Sequence, residues 1–506
     1  MTDLFAALLA RPEKTPGADV FGPLVRRATA AAAVAVLLVC QGLPAVAGER
    51  TRQPNVVFIL ADDLGYGDVS CYGQENWKTP NIDRLAAEGM RFTQFYAGAT
   101  VCSPSRSCLM TGLHTGNTQV RGNRRPEPGL PADAVTVAEV LSEAGYACGA
   151  FGKWGLGLNG SAGAPLEQGF DRYFGHTSQM LAHNYFPYTL WEDRTVFDVE
   201  ANAGTARGGY SAELIYEQSL NFIRDNADRP FFCYIPTTIP HAEMAAPERL
   251  VAKFRGKFGP ETPYEGARPG HPRFRIGGYE PCAEPKATYA AMIAYLDEHV
   301  GAVVDTLDEL GLTDDTLVIF TSDNGPAKEG GAAPANFNSS GGLRGYKRDL
   351  YEGGIRVPFI AKWPGRIEAG AESDFTGAFW DMMPTLAELA GSEAPEGLDG
   401  VSFVPTLTGE GTQAEPDYLY WEFHDKGGRV ALRRGDWKVV RYNALKQPNA
   451  PVELYNVVED PFETNDVARQ YGDLADELTA LMESARTESD VFPFTERGRA
   501  AGRRGL

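Results

Sequence analysis

Five short apolar runs, at residues 56–61, 147–151, 231–235, 317–321 and 358–362, constrain the fold of this chain more than any other feature. A strand with one face in water alternates apolar and polar residues; these runs do not, so each needs cover on both faces. Helical periods with readable ends lie among them. Thr79-Pro80 opens one that stops at Gly89, and residues 136–143 form one that stops at Gly145. Residues 286–310 end at Gly311 and residues 380–389 end at Gly391. Fully buried strands alternating with helices predict an α/β fold, a large, mostly parallel sheet sandwiched by helices.

The same runs deliver polar residues to one place. Residues 56–61 lead into Asp62-Asp63, 147–151 into Gly152-Lys153, 231–235 by a short loop into His241, and 317–321 into Asp323-Asn324. Open α/β sheets bind ligands beyond the carboxyl ends of their strands, so four distant segments are expected to converge on one site. Asp62, Asp63, Asp323 and Asn324 offer three carboxylates and an amide oxygen, a set suited to a hard divalent cation such as Ca²⁺. No His or thiolate belongs to this set, which argues against zinc. Either acidic pair alone would read as a turn or a helix cap.

Cys102-Ser103-Pro104-Ser105-Arg106 lies between the two pairs. Ser103-Pro104 can open a helix through Leu109 and Met110, and a helix N-terminus presents free N–H groups to an anion. Together with Asp62-Asp63, Gly152-Lys153-Trp154, His241, Asp323-Asn324 and Lys347, in this order, the segment resembles the signature of type I, formylglycine-dependent sulfatases. These are arylsulfatase-like members of the alkaline phosphatase superfamily. The resemblance is strong over residues 54–393 and continues weakly through Glu453-Leu454-Tyr455-Asn456 and Glu459-Asp460-Pro461.

It implies an alkaline phosphatase-like sandwich and a sulfuric ester hydrolase acting on an aryl or carbohydrate sulfate. One Ca²⁺ per chain would be held by Asp62, Asp63, Asp323, Asn324 and the modified Cys102. A formylglycine-generating enzyme would oxidise Cys102; the hydrated aldehyde would attack sulfur, and its second hydroxyl would then expel sulfate. Arg106 and Lys153 would neutralise the diol and sulfate oxygens, and Lys347 would contact the sulfate. His241 would lie near the leaving oxygen, and either it or Lys347 could protonate the departing alcohol.

One position departs from that pattern. Many relatives read Gly-Lys-Trp-His-Leu-Gly, whereas this chain has Gly152-Lys153-Trp154-Gly155-Leu156-Gly157, which leaves the base for sulfate release open. His183 is a candidate to replace the imidazole or to touch substrate, or else a loop histidine without catalytic work. Tyr185, Phe186, Tyr188 and Trp191 could stack on sugar or aryl rings or pack in the core. Two rival functions stand beside the sulfatase reading. One is hydrolysis of phosphate or phosphonate monoesters; the other is a glycan-binding protein that has lost activity, suggested only by Gly155.

The formal net charge of −20 over 506 residues disfavours nucleic acid, which needs clustered Lys and Arg. A sulfated small molecule or glycan would instead need a local cationic pocket. Arg26-Arg27, an apolar stretch through Cys40 and Ala45-Val46-Ala47 read as a targeting segment over residues 1–47. The stretch is short of the roughly 20 residues of a membrane span, so an exported protein, periplasmic or secreted, without a stable span is expected. Residues 54–407 form the expected catalytic domain. Residues 416–506 form a smaller α+β subdomain, with short antiparallel strands at 418–422, 430–433 and 437–441 and a helix near 473–483. The cysteines show neither zinc spacing nor a disulfide framework, although one or two bridges are allowed.

Overall fold

Asn55–Ala61 lies inside a ten-stranded sheet, flanked in parallel by Thr316–Ser322 on one side and Phe231–Pro236 on the other. The computed structural model describes residues 53–494. Ala147–Lys153 and Arg172–His176 extend the parallel part beyond Phe231–Pro236. The margins are mixed. Phe359–Lys362 runs antiparallel to Thr316–Ser322, with Met90–Phe92 and Ala371–Ser373 outside it. At the opposite margin Thr189–Glu192 and Thr195–Asp198 pair antiparallel. The run at 358–362, expected among the parallel strands, is therefore reversed; a strand buried on both faces looks alike in either direction.

Both faces are covered, as the unbroken apolar runs require. Val57, Ile59 and Ala61 pack with the helices Pro80–Ala87, Ser211–Asp225 and Pro285–Glu309. Val56, Phe58 and Leu60 point the other way, into a core shared with Cys102–Thr111, Val137–Glu143 and Met382–Ala390. Burying each such aliphatic or aromatic side chain contributes roughly 1.5–3 kcal/mol. Thr136 and Glu139 form a reciprocal capping box at the start of Val137–Glu143. Pro80 opens its helix as expected, but the Thr79 hydroxyl bonds Ser70 and Asp83 rather than capping it.

Register aligns the strand ends. Leu60 lies opposite Pro236 on one side and Thr321 on the other, and Ala150 lies opposite Tyr234. The residues that follow these strands therefore emerge along one edge.

A second sheet of four antiparallel strands, Leu419–Phe423, Arg429–Arg434, Trp437–Tyr442 and Glu453–Asn456, includes a last strand not expected from the sequence. One face packs on the helix Gly472–Ser484 through Leu432, Leu454, Leu478 and Met482. The other face, with Trp421, Ala431 and Val440, is buried against Tyr96, Val101, Cys108 and Trp380. Lys438, Glu352 and Glu463 form a buried ionic cluster across that junction, with Lys438 Nζ 2.8 Å from Glu352 and 3.0 Å from Glu463.

The six described cysteines are all free. No helix among the described residues is long and apolar enough to cross a membrane. The expected targeting segment lies outside the described residues.

Candidate active site

Cys102 is the first residue of the helix Cys102–Thr111, and its side chain is fully buried. Its sulfur lies 3.3 Å from Asp62 Oδ1, 3.9 Å from Asp63 Oδ1 and 3.4 Å from Lys347 Nζ. Asp62 and Asp63 follow the central strand directly, and Asp63 turns the chain with a φ of +65°, a conformation Asp adopts more readily than most residues. The Asp63 N–H donates to Asp323 Oδ1 at 3.1 Å, which ties together the ends of two neighbouring strands. Gly325 keeps this junction close: a Cβ there would stand 2.0 Å from the Gly353 carbonyl oxygen.

Three buried ion pairs form the site. Lys153, the last residue of its strand, places Nζ 2.6 Å from Asp62; Lys347 reaches Asp63 at 2.7 Å; and Arg106 reaches Asp323 at 2.8 Å. The Arg106 guanidinium also donates to the Lys153 carbonyl, so three of its five N–H donors hold neighbours. Burial works to raise the Asp62 carboxyl, but Lys153, His241, Arg106 and Lys347 together hold it well below the usual carboxylate range. The Asp323 carboxyl goes the other way. Burial and the Asp62 charge push it up to about 7 despite Arg106. Lys347 stays charged: burial opposes its charge, but Asp63 outweighs that penalty.

The Cys102 thiol is pushed up to about 12 by burial and by the charge on Asp62. An unmodified thiol here is protonated at neutral pH and is no nucleophile.

Asp62, Asp63, Cys102 and His241 bring their ligand atoms within 4.8 Å of one another. The Asn324 amide donates to Asp63 Oδ1 at 2.7 Å, while its buried Oδ1 has no hydrogen-bond partner. A crowd of carboxylates, one of them forced towards its protonated form, beside an orphaned amide oxygen suits a hard divalent cation. Three carboxylates against three cationic side chains leave no net charge, so such an ion would add a surplus of two positive charges. The residues present fit a metal ion.

His241 follows the strand Phe231–Pro236, and the Tyr185 hydroxyl holds its loop by donating to the Thr238 and His241 carbonyls. Its Nδ1 contacts the Ala242 carbonyl, so Nδ1 carries the proton and Nε2 is an acceptor 3.4 Å from Asp63 Oδ2. Burial pushes the ring down to about 4 against the pull of Asp63, leaving it neutral at neutral pH. His183 stacks on His241 with ring centroids 4.7 Å apart.

His183 does not fill the space beside position 155. There the backbone has a φ of +72°, and a Cβ would stand 2.7 Å from Gln179 Oε1, which accepts from Ser103 Oγ at 3.0 Å. Glu127 fixes that loop by accepting from Ser178 Oγ at 2.8 Å and from the Gln179 N–H at 2.7 Å. Neither Gln179 nor Glu127 is legible in the sequence, because no spacing rule joins residue 127 or 179 to residue 103. Of the aromatic residues at 185–191, Tyr185 is buried core, and Phe186 lies under the Arg207 guanidinium.

Residues 54–392 match the family model described as Sulfatase, and residues 344–488 match the one described as N-sulphoglucosamine sulphohydrolase, C-terminal. Arylsulfatase A of Homo sapiens is 35% identical over 416 residues, covering 76% of this chain and 74% of that protein. N-acetylgalactosamine-6-O-sulfatase of Bacteroides thetaiotaomicron is 30% identical over 520 residues, covering 87% and 94%. The solved structure of Ps i-CgsB in complex with k-i-k-neocarrahexaose superposes with a TM-score of 0.70 at 29% identity, covering 85% of this chain and 92% of that one.

Proposed function

The chain belongs to the sulfatase family, and from that premise we propose a hydrolysis that runs through formylglycine at position 102. Its activity is that of a sulfatase on carbohydrate or aryl sulfate esters. The observation that carries the proposal is Cys102 itself: a sealed, protonated thiol amid three carboxylates and three cations is chemically idle until it is altered. Formylglycine at position 102 would supply a carbonyl whose hydrate offers one hydroxyl as a nucleophile and a second for release of sulfate, chemistry that a thiol lacks. Asp62, Asp63, Asp323, Asn324 and the modified Cys102 would hold one Ca²⁺, which when bound supplies Lewis acidity and positive charge.

The chain's own side chains divide the remaining work. Lys153 and Lys347 present buried ammonium groups to the sulfate oxygens, and the helix N-terminus at Cys102 adds free N–H groups. Arg106 acts through Asp323 and the Lys153 backbone, so it is a positioning residue rather than a sulfate contact. His241, neutral with an acceptor Nε2 facing the cluster, is suited to take a proton and return it to the departing alcohol. Residues 1–47 act as a targeting segment, 54–407 as the catalytic domain and 416–506 as its C-terminal subdomain. The product is exported to the periplasm or the medium after a formylglycine-generating enzyme has acted. Neither rival reading, phosphate or phosphonate hydrolysis or an inactive glycan binder, has an observation in its favour.

Mass spectrometry of the Cys102 peptide, from a host with the maturation enzyme, should find the aldehyde. The same protein should turn over nitrophenyl sulfate far faster than phenyl phosphonate. An unmodified thiol in an active preparation, or a preference for the phosphonate, overturns the proposal.

A further inference from the structure

A cleft of 490 Å³ opens beside the candidate site, walled by His183, Tyr264, Tyr279, His271 and Arg273 with the backbone of Gly277. Two contacts connect it to the chemistry. His183 stacks face to face on His241, and the Tyr279 ring stands edge-on to His183 at 5.3 Å and to His241 at 6.0 Å.

The cleft is unlike the rest of the chain in charge. The whole sequence carries a net charge of −20, yet no carboxylate lines this cleft. The loop that forms most of its wall has three arginines. Arg268 pairs with Glu265 at the surface, and Arg275 is buried against Glu280 at 2.9 Å. Arg273, the one that lines the cleft, is exposed and has no carboxylate partner among the described residues; its guanidinium donates to the Gly277 carbonyl at 2.7 Å. His271 accepts the Arg273 N–H on Nδ1 at 3.0 Å, which leaves its Nε2 as a second donor on the same wall. Tyr264 and Tyr279, with centroids 6.5 Å apart, add aromatic surface of the kind that packs on sugar rings.

We propose that this cleft binds the alcohol portion of the substrate, and that this portion is a saccharide bearing a second anionic substituent held by Arg273. The substrate class is thus a multiply charged saccharide, whose further group is a carboxylate or another sulfate. A guanidinium recognises either by charge-assisted hydrogen bonds, and an unpaired one facing a cleft is unspent recognition capacity. This inference rests on the sulfatase reading and deepens it.

The test separates the two. In full-length Cys102→Ala protein, which cannot turn substrate over, calorimetry measures affinity for three matched disaccharides: one sulfate only, one sulfate with a uronate carboxylate, and two sulfates. Arg273→Ala should weaken binding of at least one doubly charged ligand by about 10- to 100-fold and leave the singly charged one within about twofold. Which doubly charged ligand responds identifies the group. Arg273→Lys should restore part of the loss. Equal loss for all three ligands, or none for any, overturns the proposal. Turnover of nitrophenyl sulfate by the matured parent protein and by Arg273→Ala tests the underlying reading independently: that small ester carries no second charge and should be hydrolysed equally by both.

Discussion

Placing a histidine at Gly155 tests how the site is built where this chain departs from many relatives. The backbone there has a φ of +72°, and forcing a residue with a Cβ into that region costs about 1–2 kcal/mol. The new Cβ would also stand 2.7 Å from Gln179 Oε1. That oxygen ends a flexible side chain and can move, but moving it gives up the hydrogen bond from Ser103 Oγ, worth about 1 kcal/mol. Gly155→His should therefore destabilise by about 2–3 kcal/mol. For a chain of this size, roughly 1 °C of Tm corresponds to each kcal/mol, so the expected drop is about 2–3 °C. Gly155→Ala, with the same Cβ and no imidazole, should cost nearly as much. In a Gln179→Ala background neither the clash nor the hydrogen bond remains, and the histidine should cost only the backbone part. Thermal unfolding of the four proteins of the cycle should give a coupling near 1 kcal/mol. An equal cost in both backgrounds would refute the claim that Gln179 occupies the space beside residue 155.

Lys347→Met removes an ammonium 3.4 Å from the Cys102 sulfur and should lower kcat by about 10²- to 10³-fold, read by steady-state turnover of a sulfate ester. Lys438→Met strands the buried carboxylates of Glu352 and Glu463 and should cost about 3–5 kcal/mol; a loss under about 1 kcal/mol in chemical denaturation would contradict this. Glu422 gives a pH dependence. Burial alone would raise its pKa, but His424, Arg486 and Arg121 hold it at about 2 against an ordinary 4.5. Its folded pKa is depressed, so its stabilisation, about 3 kcal/mol, is complete above pH 4.5 and fades as pH falls towards 2. Glu422→Gln should flatten the slope of stability against pH in that window.

How much was legible in the sequence followed burial. Asn55–Ala61, Ala147–Lys153, Phe231–Pro236 and Thr316–Ser322 stood out because helices cover both their faces, which keeps charged residues out of the interior of each run. Thr189–Glu192 and Thr195–Asp198 lie at the sheet margin with exposed positions, and although Trp191, Thr195, Val196 and Phe197 favour strands, four residues each form no continuous apolar run. The helix Ser211–Asp225 did carry a signal in Ile215, Tyr216, Ser219, Phe222 and Ile223, spaced three and four apart, that the reading passed over. Within the site, Asp62, Asp63, Asp323 and Lys153 were visible because they follow separate apolar strands of one sheet, whose ends share an edge, and stand in order around the Cys102–Arg106 segment. Gln179 was not, since its position depends on Glu127, fifty-two residues away, and on a left-handed glycine. The unpaired state of Arg273 was equally hidden: three arginines in one loop look alike until their partners are known.

The small antiparallel sheet has a consequence for timing. Trp421 donates to the Ala97 carbonyl, and its sheet closes over Val101, which precedes Cys102, and over Cys108 on the same helix. These strands lie more than three hundred residues after Cys102 in the chain, so they dock after the helix they clamp has been made. In the folded chain the Cys102 side chain is fully buried. An enzyme that needs full access to that side chain would therefore find it more readily before these strands dock than after.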